Sequence, residues 1–283
     1  MKITQKQRKP DWLKIKAVGG DKFKEVNQLL KAYNLQTVCH AANCPNRGEC
    51  FDRGTATFLI LGSVCTRNCT FCDINPGLPK AVDLSEPKRV AELSKKLELK
   101  HIVVTSVTRD DLADGGASQF AKTVFEIRKI LPNSTIELLT PDFLHTPESI
   151  KIIINSQPNV FNHNLETVES LYPVVRPQAN YKSSLKLLKY VSENSNIRTK
   201  SGIMVGVGET IDQLKVLFDD LSSHNVSILT IGQYLAPSSK HLSVKKFYHP
   251  DEFSILKQLA EDSGISKVVS APLVRSSYRA DQI

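Results

Sequence analysis

After residue 55 the chain alternates two kinds of segment. Short runs rich in apolar and β-branched residues occupy 57–61, 101–107, 135–139, 159–162, 198–205 and 227–231. The first is apolar from Phe58 to Leu61 and ends at Gly62. Between these runs lie longer segments with apolar residues three or four apart: 87–97, with Val90, Leu93 and Leu97, then 118–130, 147–154, 181–191, 210–221 and 250–263. Pro132 stops the second, and Pro147 opens the third at a first-turn position. Length and period predict strands for the former and helices for the latter. Six strand–helix units imply parallel strands joined by right-handed crossovers. Six are too few for a closed eight-stranded barrel. The expected fold is α/β, a partial (β/α)6 TIM-like barrel; a doubly wound sheet is the alternative that periodicity leaves open. Residues 1–55 lack the repeat and read as an N-terminal arm, 56–264 as the partial barrel and 265–283 as a C-terminal tail, the two extensions covering the open face.

Composition narrows the picture modestly. Of 283 residues, 41% are hydrophobic and 23% charged, the globular norm, which excludes dominant disorder. No apolar run approaches the roughly 18 residues of a membrane span. The net charge of +8 favours acidic partners without naming them. No basic run with interleaved aromatics argues for nucleic acid. The arm carries Lys2, Lys6, Arg8, Lys9, Lys14 and Lys16 against Asp11. A transit peptide would be richer in Ser and Arg, and export needs an apolar h-region. A retained basic arm in a cytoplasmic protein is expected.

The six cysteines change the picture most. All lie between Cys39 and Cys72, as Cys39-x4-Cys44-x5-Cys50 and Cys65-x3-Cys69-x2-Cys72. Such clustering argues against disulfide staples and for thiolate metal ligands in a reducing compartment. Structural zinc usually takes paired C-x2-C or Cys with His. Neither triplet has a second C-x2-C, and His40 is the only nearby histidine. Three thiolates suit a [4Fe–4S] cluster with one iron left open. Polar groups gather at the predicted strand ends: 105–111, Asp114-Gly115-Gly116, Asn162 to Glu166, Gly206 to Glu209, and Gln233-Tyr234. Each has a plain alternative. His163 is as readily a hydrogen-bonded core residue, and the glycines can serve turns alone.

Cys65-x3-Cys69-x-Phe71-Cys72 resembles the motif of the radical S-adenosylmethionine (SAM) superfamily. That resemblance implies a partial barrel and a cluster held by three cysteines. It implies that SAM chelates the open iron and is cleaved to a 5′-deoxyadenosyl radical that abstracts hydrogen. The first triplet, some 25 residues upstream, narrows the resemblance to lipoyl synthases. Further stretches agree: 8–13, 42–46, 105–112, 114–117, 161–167, 200–204, 232–235 and 274–280. The one position noted is Arg279, where related sequences often carry His.

The lipoyl synthase resemblance implies insertion of two sulfur atoms, at C6 and C8 of a protein-bound octanoyl-lysine, with two SAM molecules consumed per lipoyl group. Cys65, Cys69 and Cys72 would hold the SAM cluster, and Cys39, Cys44 and Cys50 an auxiliary [4Fe–4S] cluster that gives up its sulfur. For the fourth auxiliary ligand His40, Asp52 and a tail residue are chemically open; the resemblance picks Ser277. Serine is a hard, weak ligand beside thiolates, which suits an iron that leaves first. Asn162 or Glu166, with Gly206 and Gly208, are expected beside the SAM nucleoside, from their places after the fourth and fifth strands. Implied partners are octanoylated carrier domains (2-oxoacid dehydrogenase E2 or glycine cleavage H protein) and a low-potential donor such as ferredoxin or flavodoxin, with neither nucleic acid nor membrane. Two rivals are a methylthiotransferase, which would carry additional domains, and a two-cluster electron carrier, which would supply four cysteines per cubane.

Overall fold

The computed structural model describes residues 8–14, 20–53 and 55–282. Lys2, Lys6 and Lys16 of the basic arm lie outside the described residues. The arm folds as α1 (Asp21–Ala32), β1 (Gln36–Thr37), α2 (Val38–Ala41) and α3 (Arg47–Asp52). Phe23 of α1 packs on Phe51 of α3, ring centroids 5.6 Å apart. Then follow β2 (Thr57–Ile60), the two-residue strands β3 (Val64–Cys65) and β4 (Asn75–Pro76), α4 (Glu86–Lys96), β5 (His101–Ser106), α5 (Ala117–Ile130) and β6 (Thr135–Leu139). The second half runs α6 (Pro147–Asn155), β7 (Val160–Asn162), α7 (Tyr172–Val175), α8 (Tyr181–Glu193), β8 (Arg198–Val205), α9 (Ile211–Ser223), β9 (Ile228–Gln233), α10 (Pro250–Asp262) and β10 (Lys267–Ser270).

One sheet carries the order β1-β2-β5-β6-β7-β8-β9-β10. All its neighbours pair in parallel except β1, which runs antiparallel to β2. The helices stack around the outside, α4 on α5, α5 on α6, α6 on α8 and α9 on α10. The expected partial barrel is therefore present, with its six strand–helix units. Local chemistry sets the element ends. Thr210 and Gln213 form a capping box on α9, and His249 and Glu252 another on α10, where Pro250 takes the first turn. Leu61 leaves the first barrel strand early, turning at φ 67° while its N–H donates to Glu86 Oε2 at 2.9 Å.

The sheet also continues past residue 264. Lys267 to Ser270 pair with Ile228 to Ile231, a seventh parallel strand where the sequence suggested only a tail. Four residues with no following helix carry no periodic signal, so only the neighbouring strand reveals them. Beyond β10 the chain crosses back to the arm: Tyr278 Oη donates to Glu49 at 3.1 Å, and the last turn (Ala280–Gln282) packs on β5. At the other end Trp12 Nε1 donates to the Tyr248 carbonyl at 3.2 Å. The arm leaves one edge of the sheet and the tail the other, and they meet over the gap.

Inside the barrel lies a buried polar layer. Lys200 Nζ donates to both oxygens of Glu137 at 2.9 and 3.0 Å, and Asn162 Nδ2 adds a third bond at 2.8 Å. Burial alone would raise the Glu137 pKa, but the Lys200 charge and its other partners hold it below its ordinary value. This layer is the floor on which the site rests. Among the described residues no helix is long and apolar enough to cross a membrane.

Candidate active site

Above that floor opens a cavity of about 590 Å³, and all six cysteines line it. The second triplet reaches it on a loop that springs from β2 and is closed by the pairing of Val64 with Asn75 and Cys65 with Pro76. Thr66 N–H donates to the Thr108 carbonyl at 3.1 Å, Thr70 N–H to the Val175 carbonyl at 3.2 Å, and His241 Nε2 lies 3.1 Å from the Cys72 carbonyl. The loop is thus pinned to three separate parts of the barrel rim, following β5, β7 and β9. The first triplet comes from the arm. Cys39 lies on α2, Cys44 closes back on the Cys39 carbonyl at 3.1 Å, and Cys50 lies on α3.

All six are free thiols. Burial, then the neighbouring Cys44, pushes Cys39 up to about 12; burial, then Cys44, pushes Cys50 to about 11. Burial raises Cys72 to about 12. Thiols so placed ionise only against a strong local cation, which is what an iron cluster supplies. Among the described residues no three His, Cys, Asp or Glu side chains gather tightly enough to enclose a single metal ion. Two triplets of soft sulfur donors facing one chamber suit multi-iron clusters.

Ser277 lines the same cavity, and with Cys39 and Cys50 it also lines a small adjoining one. The tail bearing it is seated by the barrel. Asn164 Nδ2 donates to Ser276 Oγ at 2.6 Å, and Asn46 Nδ2 to the Leu273 carbonyl at 2.7 Å. Two glycines make room. A Cβ on Gly232 would come within 2.1 Å of the Val274 carbonyl oxygen, and one on Gly202 within 2.8 Å of Ser276 Oγ. The other candidates for closing the first triplet are engaged elsewhere or turned away. His40 bonds Asn27 and Arg47 at 2.7 and 3.1 Å, and neither it nor Asp52 lines the cavity.

The residues expected beside the SAM nucleoside separate. Glu166 lines the cavity and is half-buried; desolvation pushes its pKa up against the pull of Arg176 and the Asn164 amide. Asn162 does not line the cavity; it is spent on Glu137 in the floor. Gly206 and Gly208 also stand outside it, where their N–H groups and that of Val207 donate to the Glu209 carboxylate at 2.6, 3.0 and 3.0 Å. His163 is a satisfied core histidine: its ring nitrogens lie 2.9 Å from the Thr140 carbonyl and 3.1 Å from Ser184 Oγ, and burial lowers its pKa to about 4.

Two cavity residues carried little sequence signal. Arg176 is half-buried and donates to the Asn164 carbonyl at 2.8 Å; desolvation opposes its charge, but Tyr172, Glu166 and Cys69 together hold it cationic. Its one hint was an arginine enclosed by apolar residues and prolines, Tyr172 to Pro177. Asn164 stood within the polar strand end already noted.

A sequence model of the radical SAM superfamily matches residues 59–221. The chain is 51% identical over 275 residues to the lipoyl synthase of Caldanaerobacter subterraneus subsp. tengcongensis, covering 97% of this chain and 96% of that protein. It is 49% identical to the lipoyl synthase of Rubrobacter xylanophilus, covering 97% and 86%. Among solved structures it resembles Streptococcus suis SuiB bound to precursor peptide SuiA (TM-score 0.58, 12% identity, 87% of this chain and 52% of that one). It also resembles methylornithine synthase, PylB (TM-score 0.56, 14% identity, 89% and 78%). At such identities these two share the fold alone.

Proposed function

The chain belongs to the lipoyl synthase family of the radical SAM superfamily, and we propose on that premise which of its residues carry the reaction. The family's activity is sulfur insertion at C6 and C8 of a protein-bound octanoyl group, using SAM and two [4Fe–4S] clusters. We assign Cys65, Cys69 and Cys72 to the SAM cluster, and Cys39, Cys44, Cys50 and Ser277 to the auxiliary cluster that donates sulfur. The observation that carries this reading is that both triplets and the tail serine open into one chamber.

When bound, the clusters and SAM supply one-electron cleavage of unactivated C–H bonds and the sulfur that replaces the hydrogen. The protein's own part is placement and shelter. Val38, Leu59, Leu139 and Met204 give the chamber apolar wall against which an octanoyl chain loses its water. Cysteines from the loop and from the arm line one chamber, so clusters held there would lie within reach of one bound chain, which is where proximity contributes most. The tail and arm meet over the gap and keep solvent from a reactive carbon centre. Arg176 and Arg275, both half-buried, set positive charge beside Glu166 and the thiols. Glu166 is the group we place beside the bound SAM.

The carrier is an octanoylated protein domain, and we propose the E2 subunits of 2-oxoacid dehydrogenases or the glycine cleavage H protein. The electron donor we propose is a ferredoxin or flavodoxin. Both partner types are commonly acidic, which suits the net charge of +8. The compartment we propose is the cytoplasm, a reading supported by six free cysteines that suit a reducing environment. The deciding experiment is mass spectrometry of an octanoylated carrier peptide after anaerobic turnover. Two added sulfurs are expected; an unmodified octanoyl group alongside released 5′-deoxyadenosine overturns the reading.

A further inference from the structure

The second-triplet loop holds a buried cation that the assignments above do not use. Arg67 lies between Cys65 and Cys69, its side chain 7% exposed. Its backbone N–H points at Cys65 Sγ, 3.4 Å away. Its guanidinium meets two carboxylates in paired fashion. Nε and Nη2 donate to Asp110 at 2.7 and 2.9 Å; Nη1 and Nη2 donate to Asp142 at 2.6 and 2.7 Å. Bidentate charge-assisted pairs are the strongest and most directional of side-chain hydrogen bonds. Asp110 is tied to the loop a second time, its N–H donating to Thr66 Oγ1 at 3.0 Å.

The backbone around the other carboxylate is strained. Phe143, Leu144 and His145, directly after Asp142, all stand in the left-handed region, with φ of 49°, 53° and 56°. That costs an ordinary residue roughly 1–2 kcal/mol. Three in a row persist only where surrounding structure imposes them, and such places cluster at functional sites. Leu144 N–H donates to Asp142 Oδ1 at 3.1 Å, so the turn aims this carboxylate at Arg67. Burial alone would raise the Asp142 pKa, but the Arg67 hydrogen bonds and charge hold it at about 2. One cation therefore faces two carboxylates, an excess of one negative charge. His145, 3.7 Å from Asp142, adds none at neutral pH because burial lowers its pKa. At Cys69, Arg176 and Arg67 act to lower the thiol pKa and Glu166 and Cys65 to raise it, so the sulfur feels the Arg67 cation, and the two carboxylates act by offsetting it.

We infer that Arg67 is a positioning residue for the SAM cluster: with Asp110 and Asp142 it locks the backbone between Cys65 and Cys69, and the two carboxylates offset the Arg67 charge that the cluster would otherwise feel, lowering its reduction potential. An electron added near a fixed negative charge is repelled, and in a buried setting the repulsion is weakly screened. A lower potential makes the reduced cluster a stronger donor. The inference rests on the assignment of Cys65, Cys69 and Cys72 to that cluster.

The test uses the full chain reconstituted with iron and sulfide, and reads the midpoint potential of the part of the reduced-cluster EPR signal that changes on adding SAM. Asp142→Asn keeps the shape and removes one charge. The reduction equilibrium should shift on the order of tenfold toward the reduced form, about 59 mV for one electron. Asp110→Asn, at a more exposed carboxylate, should shift it the same way by less, and decides the matter if Asp142→Asn fails to fold. Arg67→Lys keeps the charge and loses the planar fork. It should leave the potential near wild type and weaken SAM binding, read from the same signal, by about tenfold. Wild-type potentials in both Asn variants would overturn the electrostatic half, and wild-type SAM affinity in Arg67→Lys the locking half. If the wild-type signal does not respond to SAM at all, the cluster assignment itself falls and takes the inference with it.

Discussion

The loop spanning residues 62–77 and the paired chain ends each present three cysteines to the same chamber, by opposite means. The loop is local: Cys65, Cys69 and Cys72 lie within eight residues. A buried Arg67 bonded to Asp110 and Asp142 braces it, and rim hydrogen bonds close it. The other site is assembled from distant pieces. Its cysteines come from two short helices of the arm, and Ser277 comes from the far end of the chain. The pieces are held by Glu49, which accepts from Tyr278 Oη at 3.1 Å and Arg279 Nη2 at 2.7 Å, with the Arg279 and Glu49 side chains 47% and 40% exposed. Exposed pairs of this kind contribute about 0–1 kcal/mol; buried bidentate ones resist separation far more. On the proposed assignment, the cluster that survives each turnover sits in the rigid loop. On the same assignment, the cluster that yields its sulfur sits between parts joined by exposed, weaker contacts.

The sharpest break in that comparison is removal of one triplet at a time. Cys65→Ala with Cys69→Ala and Cys72→Ala should abolish 5′-deoxyadenosine formation, with iron falling from about eight to about four per chain. Cys39→Ala with Cys44→Ala and Cys50→Ala should lose the same iron and all sulfur insertion, yet still cleave SAM. Product analysis distinguishes the two, and iron assay checks that each has lost one cluster; lipoyl product from the second variant would refute the division of labour.

Next in size is Ser277→Ala. Loss of outer-shell partners typically costs metal sites 10–100-fold, and loss of a ligand more. Sulfur insertion should fall by at least about a hundredfold while SAM cleavage persists; insertion at the wild-type rate would remove Ser277 from the site. Gly232→Ala should act through the tail alone. Its Cβ would collide with the Val274 carbonyl, a clash of backbone against backbone. Overpacking of this kind costs about 1–3 kcal/mol. A lowered Tm with sulfur insertion lost and SAM cleavage kept is expected; unchanged insertion would show that the tail does not need the trough between β8 and β9.

The smallest effect belongs to the Glu49 latch. The hydrogen bond from Arg279 is the main reason its pKa lies below the ordinary glutamate value. A carboxyl lowered in the folded state stabilises that state above its unfolded pKa, and the contribution is lost as pH falls through the lowered value. The tail should therefore loosen on acidification while the Arg67 clamp holds until Asp142 titrates near 2. Hydrogen exchange of residues 273–282 against pH reads the first, and exchange in the loop reads the second. Glu49→Gln should mimic the acid effect at neutral pH at a cost under about 1 kcal/mol. Equal protection of tail and loop at every pH would erase the contrast.

Residue by residue, legibility followed the range of the determining interaction. The barrel's strands and helices were read within one or two residues of their ends, because each is set by local period, prolines and caps such as Thr210. The strand Lys267–Ser270 was missed because four residues without a helix after them have no period of their own. Asn162 was expected at the SAM nucleoside and lies in the polar floor with Glu137 and Lys200. Asn164 and Glu166, a few residues on, line the chamber. At about 3.3 Å of rise per residue, two to four positions separate one layer of a barrel interior from the next, and a linear string does not mark depth.

By itself the sequence determined the strand–helix alternation, the sulfur chemistry of two cysteine triplets and the family they resemble, because those depend on residue type and spacing along one stretch of chain. Only the tertiary structure decided that both triplets face one chamber, that Glu49 joins the arm to Tyr278 and Arg279 some 230 residues later, and that Arg67 spends its charge on Asp110 and Asp142. Those contacts depend on which side chains the curved sheet brings within hydrogen-bond distance, and burial then sets how strongly each charge is felt.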